Sequence, residues 1–296
     1  MVIKKKFVRF DWAIKKLLCQ KANFDILEGF LTELLGYELK IIKILESESN
    51  KDDFEDKYNR VDILAELQTE ELIIVEIQNE PEVDYFHRML YGVSKVITDY
   101  ISEGQSYSNV KKVIAINIAY FNLGQGNDYI YEYNGNFIGK HNGDILQPSI
   151  KQKNTFGIEH IKDIFPKYYL LKVNNFDDVA KDTLDEWIYF LKNSEIPASF
   201  KAKGLEKARK KMQYEKMSEN EKSSYRKFME NRRIESSVLA TAVGDSYDKG
   251  FDKGVEIGLE KVVEESLKNN LDMPIICKIT GLNEIEILKI KAKLNL

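Results

Sequence analysis

Asp62, Glu76 and Gln78 are the residues of this chain whose types and spacing suit chemistry. They lie in RVDILAEL (60–67) and LIIVEIQNE (72–80), which read as two strands joined by a short polar turn at 68–71. Strand side chains alternate between faces. Val61, Ile63, Ala65 and Leu67 give the first strand an apolar odd face, as Ile73, Val75 and Ile77 do the second. The even positions hold Leu64 and Ile74 together with Asp62, Glu66, Glu76, Gln78 and Glu80. A hairpin must turn both apolar faces to one core, because a one-residue slip flips a whole strand. Two registers satisfy this. One sets Asp62 opposite Glu76; the other sets Asp62 opposite Gln78, with Glu76 on the diagonal. In both, the side chains lie roughly 5–8 Å apart.

Two ionised carboxylates that close repel each other unless they share a cation. Mg²⁺, or Mn²⁺ in its place, takes oxygen ligands, often one or two carboxylates completed by water and phosphate. The even face therefore reads as a metal site able to face a phosphodiester. A surface hairpin with acids on its wet face has the same periodicity, and Glu66 and Glu80 read as solvated acids of that kind. His87, His141 and His160 are scattered singly, without the spacing of a histidine metal site.

The elements that must position these residues are legible around them. Residues 11–35 show helical spacing, with Gly36 as a stop. Residues 37–46 look like a strand, followed by an acidic loop. Residues 82–103 read as a helix with Phe86, Leu90, Val93, Ile97 and Ile101 on one face. Arg88, Tyr91 and Lys95, spaced i, i+3, i+7, lie opposite much of that face and suit phosphate contacts or a solvated surface. Val113 to Ala119 suits a strand covered on both sides, so strand, helix and strand suggest a parallel crossover. Short strands are expected over 128–147, with turns at Asn134-Gly135 and Asn142-Gly143.

The arrangement of Asp62, then Glu76-Ile77-Gln78, resembles the PD-(D/E)XK nuclease superfamily, and more closely its recombination-promoting, transposase-like branch. RFDWAIKKLL, NFDILEGFLTELLG, RVDILAEL, IIVEIQNE, YFHRMLYGVSK and YDKGFDKGVEIGLEK carry the resemblance along nearly the whole chain. It implies an α/β, restriction-endonuclease-like αβββαβ core with a mixed sheet, a mostly helical C-terminal region, and metal-dependent hydrolysis of DNA. Asp62 would stand for the motif's aspartate, Glu76 for its second acid and Gln78 for its lysine. Val61 replaces the motif's proline. Glutamine carries no charge, but it can orient a water whose pKa a metal lowers. First-helix acids often join the metal in this superfamily; Glu28 is the candidate, ahead of Asp11.

The domain expectations are a nuclease-like domain over 1–175, a helical region over 176–244, and a Gly-repeat helix with a short helical hairpin over 245–296. A net charge of -4 excludes a uniformly basic nucleic-acid binder. Within that chain, residues 201–235 hold twelve Lys and Arg against six acids, a net of +6. Lys207, Arg209, Lys210 and Lys211 lie there and suit either DNA contact or a solvated face. Gly250, Gly254 and Gly258 form one stripe within 245–270, suited to contact between two copies or to a loose linker. Residues 272–294 have the length of a helix-turn-helix around Gly281, a pattern shared by small packing hairpins. Cys19 and Cys277 form no disulfide framework, no run approaches a membrane span, and a cytoplasmic location is expected. The function expected is a divalent-metal-dependent DNA endonuclease; a catalytically inactive nuclease fold that binds nucleic acid or a protein is the alternative.

Overall fold

The computed structural model describes residues 7–13, 20–45, 62–101 and 104–294. It divides into two units, Met1–Tyr225 and Arg226–Leu296. Unit 1 opens with α1 (Phe10–Ala13) and α2 (Phe24–Leu35), which ends on Gly36 in the left-handed conformation. Leu17 and Leu18 of the expected helical stretch lie outside the described residues, as do Val61 and the acidic loop. Strands β1 (Ile41–Leu45), β2 (Ile63–Leu67) and β3 (Leu72–Gln78) follow, then α3 (Tyr85–Asp99) and β4 (Val113–Ala119). Next come β5 (Ile130–Tyr133), α4 (Ile150–Phe156), β6 (Lys167–Lys172), α5 (Thr183–Asn193) and α6 (Leu205–Lys211). The long α7 (Glu219–Lys268) runs across the division and leads to α8 (Met273–Thr280) and α9 (Glu284–Lys293).

Among the described residues the sheet has the order β1-β2-β3-β4-β6-β5. The first three strands are an antiparallel meander, β4 and β6 join parallel to β3, and β5 returns antiparallel on the edge. The sheet is mixed and the fold α/β, as the motif stretches imply. The expected parallel crossover is the β3–α3–β4 unit. Strand β6 is an addition to the expected elements: KYYLLK alternates weakly, and only its place beside β4 makes it a strand. Of the expected short strands, Ile130–Tyr133 forms, and Ile138 and Ile145 pair as a single bridge.

Both faces of the sheet are covered, which the alternation alone does not reveal. On the even face Leu64, Leu72, Ile74, Val113 and Ala115 bury against Val93 and Val96 of α3. The buried side of α3 is therefore Tyr85, Val93 and Val96, flanked by Met89 and Ile97. Phe86 and Leu90, expected on the apolar face, are 50% and 59% exposed. The helix is rotated from the expectation because its first turn must seat Tyr85 against Phe121.

On the other side of unit 1, α1, α2 and α5 meet through Phe10, Phe30, Trp187 and Phe190, with ring centroids 5.5–6.2 Å apart. Offset and edge-on aromatic pairs of this kind contribute beyond their buried area. Gly29 allows the closest approach: a Cβ there would lie 2.4 Å from the Lys203 carbonyl oxygen. The loop before α6 thus lies directly on α2. In unit 2, Val263, Ile276 and Ile287 are fully buried and tie α8 and α9 to α7. Residues 272–294 form a helical hairpin packed on α7, turning at Gly281 and restarting at an Asn283–Glu286 capping box.

Candidate active site

Strand register decides the first question about the paired acids. Ile63 lies opposite Val75 and Leu64 opposite Ile74, so Asp62, one residue before β2, comes opposite Glu76. The pair is stitched through the backbone. The Ile77 N–H donates to Asp62 Oδ2 (2.8 Å), and the Asp62 N–H donates to Glu76 Oε2 (3.2 Å). Gln78 lies on the same face, two residues on. Its Nε2–H donates to the Glu80 carbonyl (3.1 Å), which fixes the amide plane.

Glu76 is 7% exposed and roofed by α3, so it is no wet-face acid. A buried carboxylate is costly unless it is paired and hydrogen-bonded. Arg88 supplies the pairing: its Nη2–H donates to Glu76 Oε1 (2.5 Å) and its Nη1–H to Glu82 Oε2 (2.9 Å). Burial opposes the Arg88 charge, but Glu76 and Glu82 outweigh it and hold its pKa above the ordinary value. Arg88 is therefore turned into the site and not away from the apolar side of α3. Tyr91 is exposed and Lys95 half-buried on the same helix.

Tyr85 escapes a reading of the sequence. It is fully buried, and its hydroxyl has no hydrogen-bond partner among the described residues. Burial pushes its pKa up, and Glu76 is the charge that adds most to the rise. The available signal is its spacing: Tyr85 and Arg88 are i and i+3 on one helix, hence neighbours. Asn117 faces Glu76 across the β3–β4 pairing, and its amide donates to the Tyr169 carbonyl (3.3 Å). It supports the sheet there.

Glu28 is not brought to this group. Its Oε1 accepts from the Ile41 N–H (2.9 Å) and its Oε2 from Lys40 Nζ (2.7 Å), tying α2 to β1. Ile41 pairs with Leu67, at the end of β2 away from Asp62. Five residues of strand separate the two ends, about 16 Å. Asp11 is buried and gripped by Arg9, whose Nη2 reaches Asn79 Oδ1 (3.5 Å) just after β3. Glu66 is ion-paired with Lys111 (2.6 Å) and Lys43 (3.0 Å), which hold its pKa below the usual carboxylate value.

The basic segment divides by role. Lys207 pairs with Asp25 and Lys210 with Glu206, both at the surface, and Lys211 is exposed. Arg209 Nη2 donates to the Pro197 and Phe200 carbonyls (2.8 and 3.2 Å), so it braces the loop before α6.

The carboxylates of Asp62 and Glu76 form an oxygen donor set, with the Gln78 amide oxygen on the same face to hold a water. That suits a hard divalent cation which keeps several waters. Among the described residues no group of three metal-binding side chains gathers, so the fit is to a cation held largely by water and substrate. The unpartnered Tyr85 hydroxyl belongs to a ring packed on Ala119, the β4 partner of Gln78. No described helix is long and apolar enough to cross a membrane.

A family model described as PD-(D/E)XK nuclease family transposase matches residues 8–242. Nucleases of this family generally use divalent metals. No curated protein and no solved structure matches the chain. Because the match spans the paired acids, the crossover helix and the parallel strand beside it, the chain belongs to the PD-(D/E)XK nuclease family transposases.

Proposed function

We propose that the chain is a divalent-metal-dependent DNA endonuclease of the recombination-promoting, transposase-like type. The observation that carries this is the register that sets Asp62 opposite Glu76 with Gln78 on the same face. Asp62 and Glu76 would hold Mg²⁺ or Mn²⁺. Once bound, such a cation lowers the pKa of a water and offsets charge on the phosphodiester. Gln78, with its N–H engaged by Glu80, offers its carbonyl oxygen to orient the attacking water. Arg88 is the group closest to hand for a phosphate oxygen, with Tyr91 and Lys95 further along the helix. No covalent enzyme–DNA intermediate is required. Glu28 acts here as a brace between α2 and β1.

The test is plasmid nicking with Mg²⁺ or Mn²⁺. Asp62→Ala and Glu76→Ala should each abolish cleavage and cation binding while the fold persists. A variant that cleaves like the parent would overturn the assignment. The neutralisation of Glu76 by Arg88 favours the other reading, an inactive nuclease fold that binds nucleic acid or a protein. Absence of nicking by the parent under either metal would support it.

We also propose that the chain self-associates through α7. Tyr247, Phe251 and Val255 are exposed and spaced i, i+4, i+8, beside Gly250, Gly254 and Gly258. Asp248 and Asp252 flank the stripe on one side and Lys249 and Lys253 lie beyond the other, so a second copy aligned in parallel sets acid against base. Sedimentation should show a dimer that Tyr247→Glu with Phe251→Glu converts to a monomer.

A further inference from the structure

Glu76 already uses both of its oxygens: Oε1 takes Arg88 and Oε2 takes the Asp62 N–H. A cation on Glu76 and a guanidinium on the same oxygen are like charges a few ångströms apart, which disfavours holding both. Arg88 is 29% exposed and already has a second anchor in Glu82, so it can leave Glu76 without leaving the site. A carboxylate released by Arg88 keeps the Asp62 N–H on Oε2 and loses the guanidinium donor on Oε1.

The replacement donor is one helical turn away. Tyr85 lies three residues before Arg88 on the face of α3 that carries Arg88 to Glu76, so the two side chains start from neighbouring positions. Its ring is locked, 0% exposed, against Phe121 (centroids 5.7 Å) and among Ala119, Leu123 and Leu170. Buried hydroxyls are nearly always hydrogen-bonded, and an unpaired one is a cost the fold carries for a reason. Total burial excludes a DNA phosphate from reaching this hydroxyl. Ala119, on which the ring packs, is paired with Gln78, two residues along β3 from Glu76.

We propose that Tyr85 is a positioning residue of the cleavage site: its hydroxyl donates to the Glu76 carboxylate, directly or through one water, when a divalent cation displaces Arg88 from Glu76 and frees it for a phosphate. Glu76 thus exchanges one donor for another and keeps its orientation. The inference rests on Asp62 and Glu76 holding a divalent cation, as proposed above.

Tyr85→Phe removes only the hydroxyl. Calorimetric titration of the full-length chain with Mn²⁺, without DNA, is the first readout. The dissociation constant should rise about tenfold, the scale of one hydrogen bond to a charged group. The effect should be larger in an Arg88→Met background, which removes the guanidinium donor from Glu76 Oε1. With DNA and Mn²⁺, kcat should fall and KM stay level. The thermal midpoint should equal or exceed that of the parent, because an unpaired buried hydroxyl has been removed. A lowered midpoint would mean that the hydroxyl is already bonded in the resting fold, and overturns the proposal. So does Mn²⁺ affinity within twofold of the parent when the parent binds in a Glu76-dependent way; that outcome leaves the endonuclease reading standing. If the parent shows no Glu76-dependent binding, both fail together.

Discussion

A carboxylate at 7% exposure needs an explanation in charge, and at Glu76 that explanation is Arg88. The pair is partly open to water, so its net worth is modest, on the scale of 1 kcal/mol or less. This size makes Arg88 exchangeable. Arg88→Gln should tighten Mn²⁺ binding up to about fivefold by removing a competing cation, and should weaken DNA binding at the same time. Calorimetry and a fluorescence titration read the two effects; weakened binding of both would mean that Arg88 holds Glu76 in place for the metal. Gln78→Ala should leave cation affinity unchanged and slow cleavage by about a hundredfold, the lower end of what a group handling the attacking water contributes. Loss of Mn²⁺ binding in that variant would count against the role. The residue types are visible in the sequence, but helical spacing turns Arg88 outward, because the choice between the two sides of α3 depends on where Tyr85 seats.

At the scale of elements, the site depends on α3 closing over one face of the sheet and α2 being held to β1. The seating of α2 against the loop before α6 rests on close backbone approach. Gly29→Ala would drive a methyl into the Lys203 carbonyl and Gly204, and backbone cannot yield as a side-chain tip can. A loss of about 1–3 kcal/mol is expected, read as a lowered urea midpoint for unit 1. Gly254→Ala is the contrast: nothing lies within 4 Å of its Cβ position, so α7 should gain about 1 kcal/mol from propensity alone. Equal effects at the two glycines would show that the approach at Gly29 is not a constraint. Helical spacing identifies both segments, yet it cannot rank these glycines, since Gly29 meets a neighbour far away along the chain.

The chain is acidic overall, but residues 201–235 carry a net of +6. Arg209 is spent on the Pro197 and Phe200 carbonyls, so its removal should lower stability more than DNA affinity. Lys207, Lys210 and Lys211 are surface cations, and the acids that pair with Lys207 and Lys210 are easily exchanged for phosphate. Replacing those three with Gln should flatten the salt dependence of DNA binding by up to about three units, at roughly 0.9 for each phosphate no longer neutralised. The cleavage rate at saturating DNA should stay level, and an unchanged slope would reduce the segment to a solvated face.

Local pattern grouped Asp62, Glu76 and Gln78 on one strand face with Glu66 and Glu80, and the family resemblance singled them out; pattern also gave the strand character of the segments that hold Glu76 and Gln78, and the crossover that follows. These rest on alternation, a short turn and a helical run between two apolar stretches. Pattern left the register open between two choices and the burial of Glu76 undecided. Packing settled both, through the pairing of Ile63 with Val75 and the seating of α3. It also separated Glu28 from the acids it was grouped with, because helix periodicity records a side but not which strand end that side meets. Strand β6 and the buried hydroxyl of Tyr85 were likewise illegible beforehand, since each is defined by neighbours distant along the chain. Patterns of period two and 3.6 encode which side of an element is apolar; what lies across from it is fixed only when the elements meet.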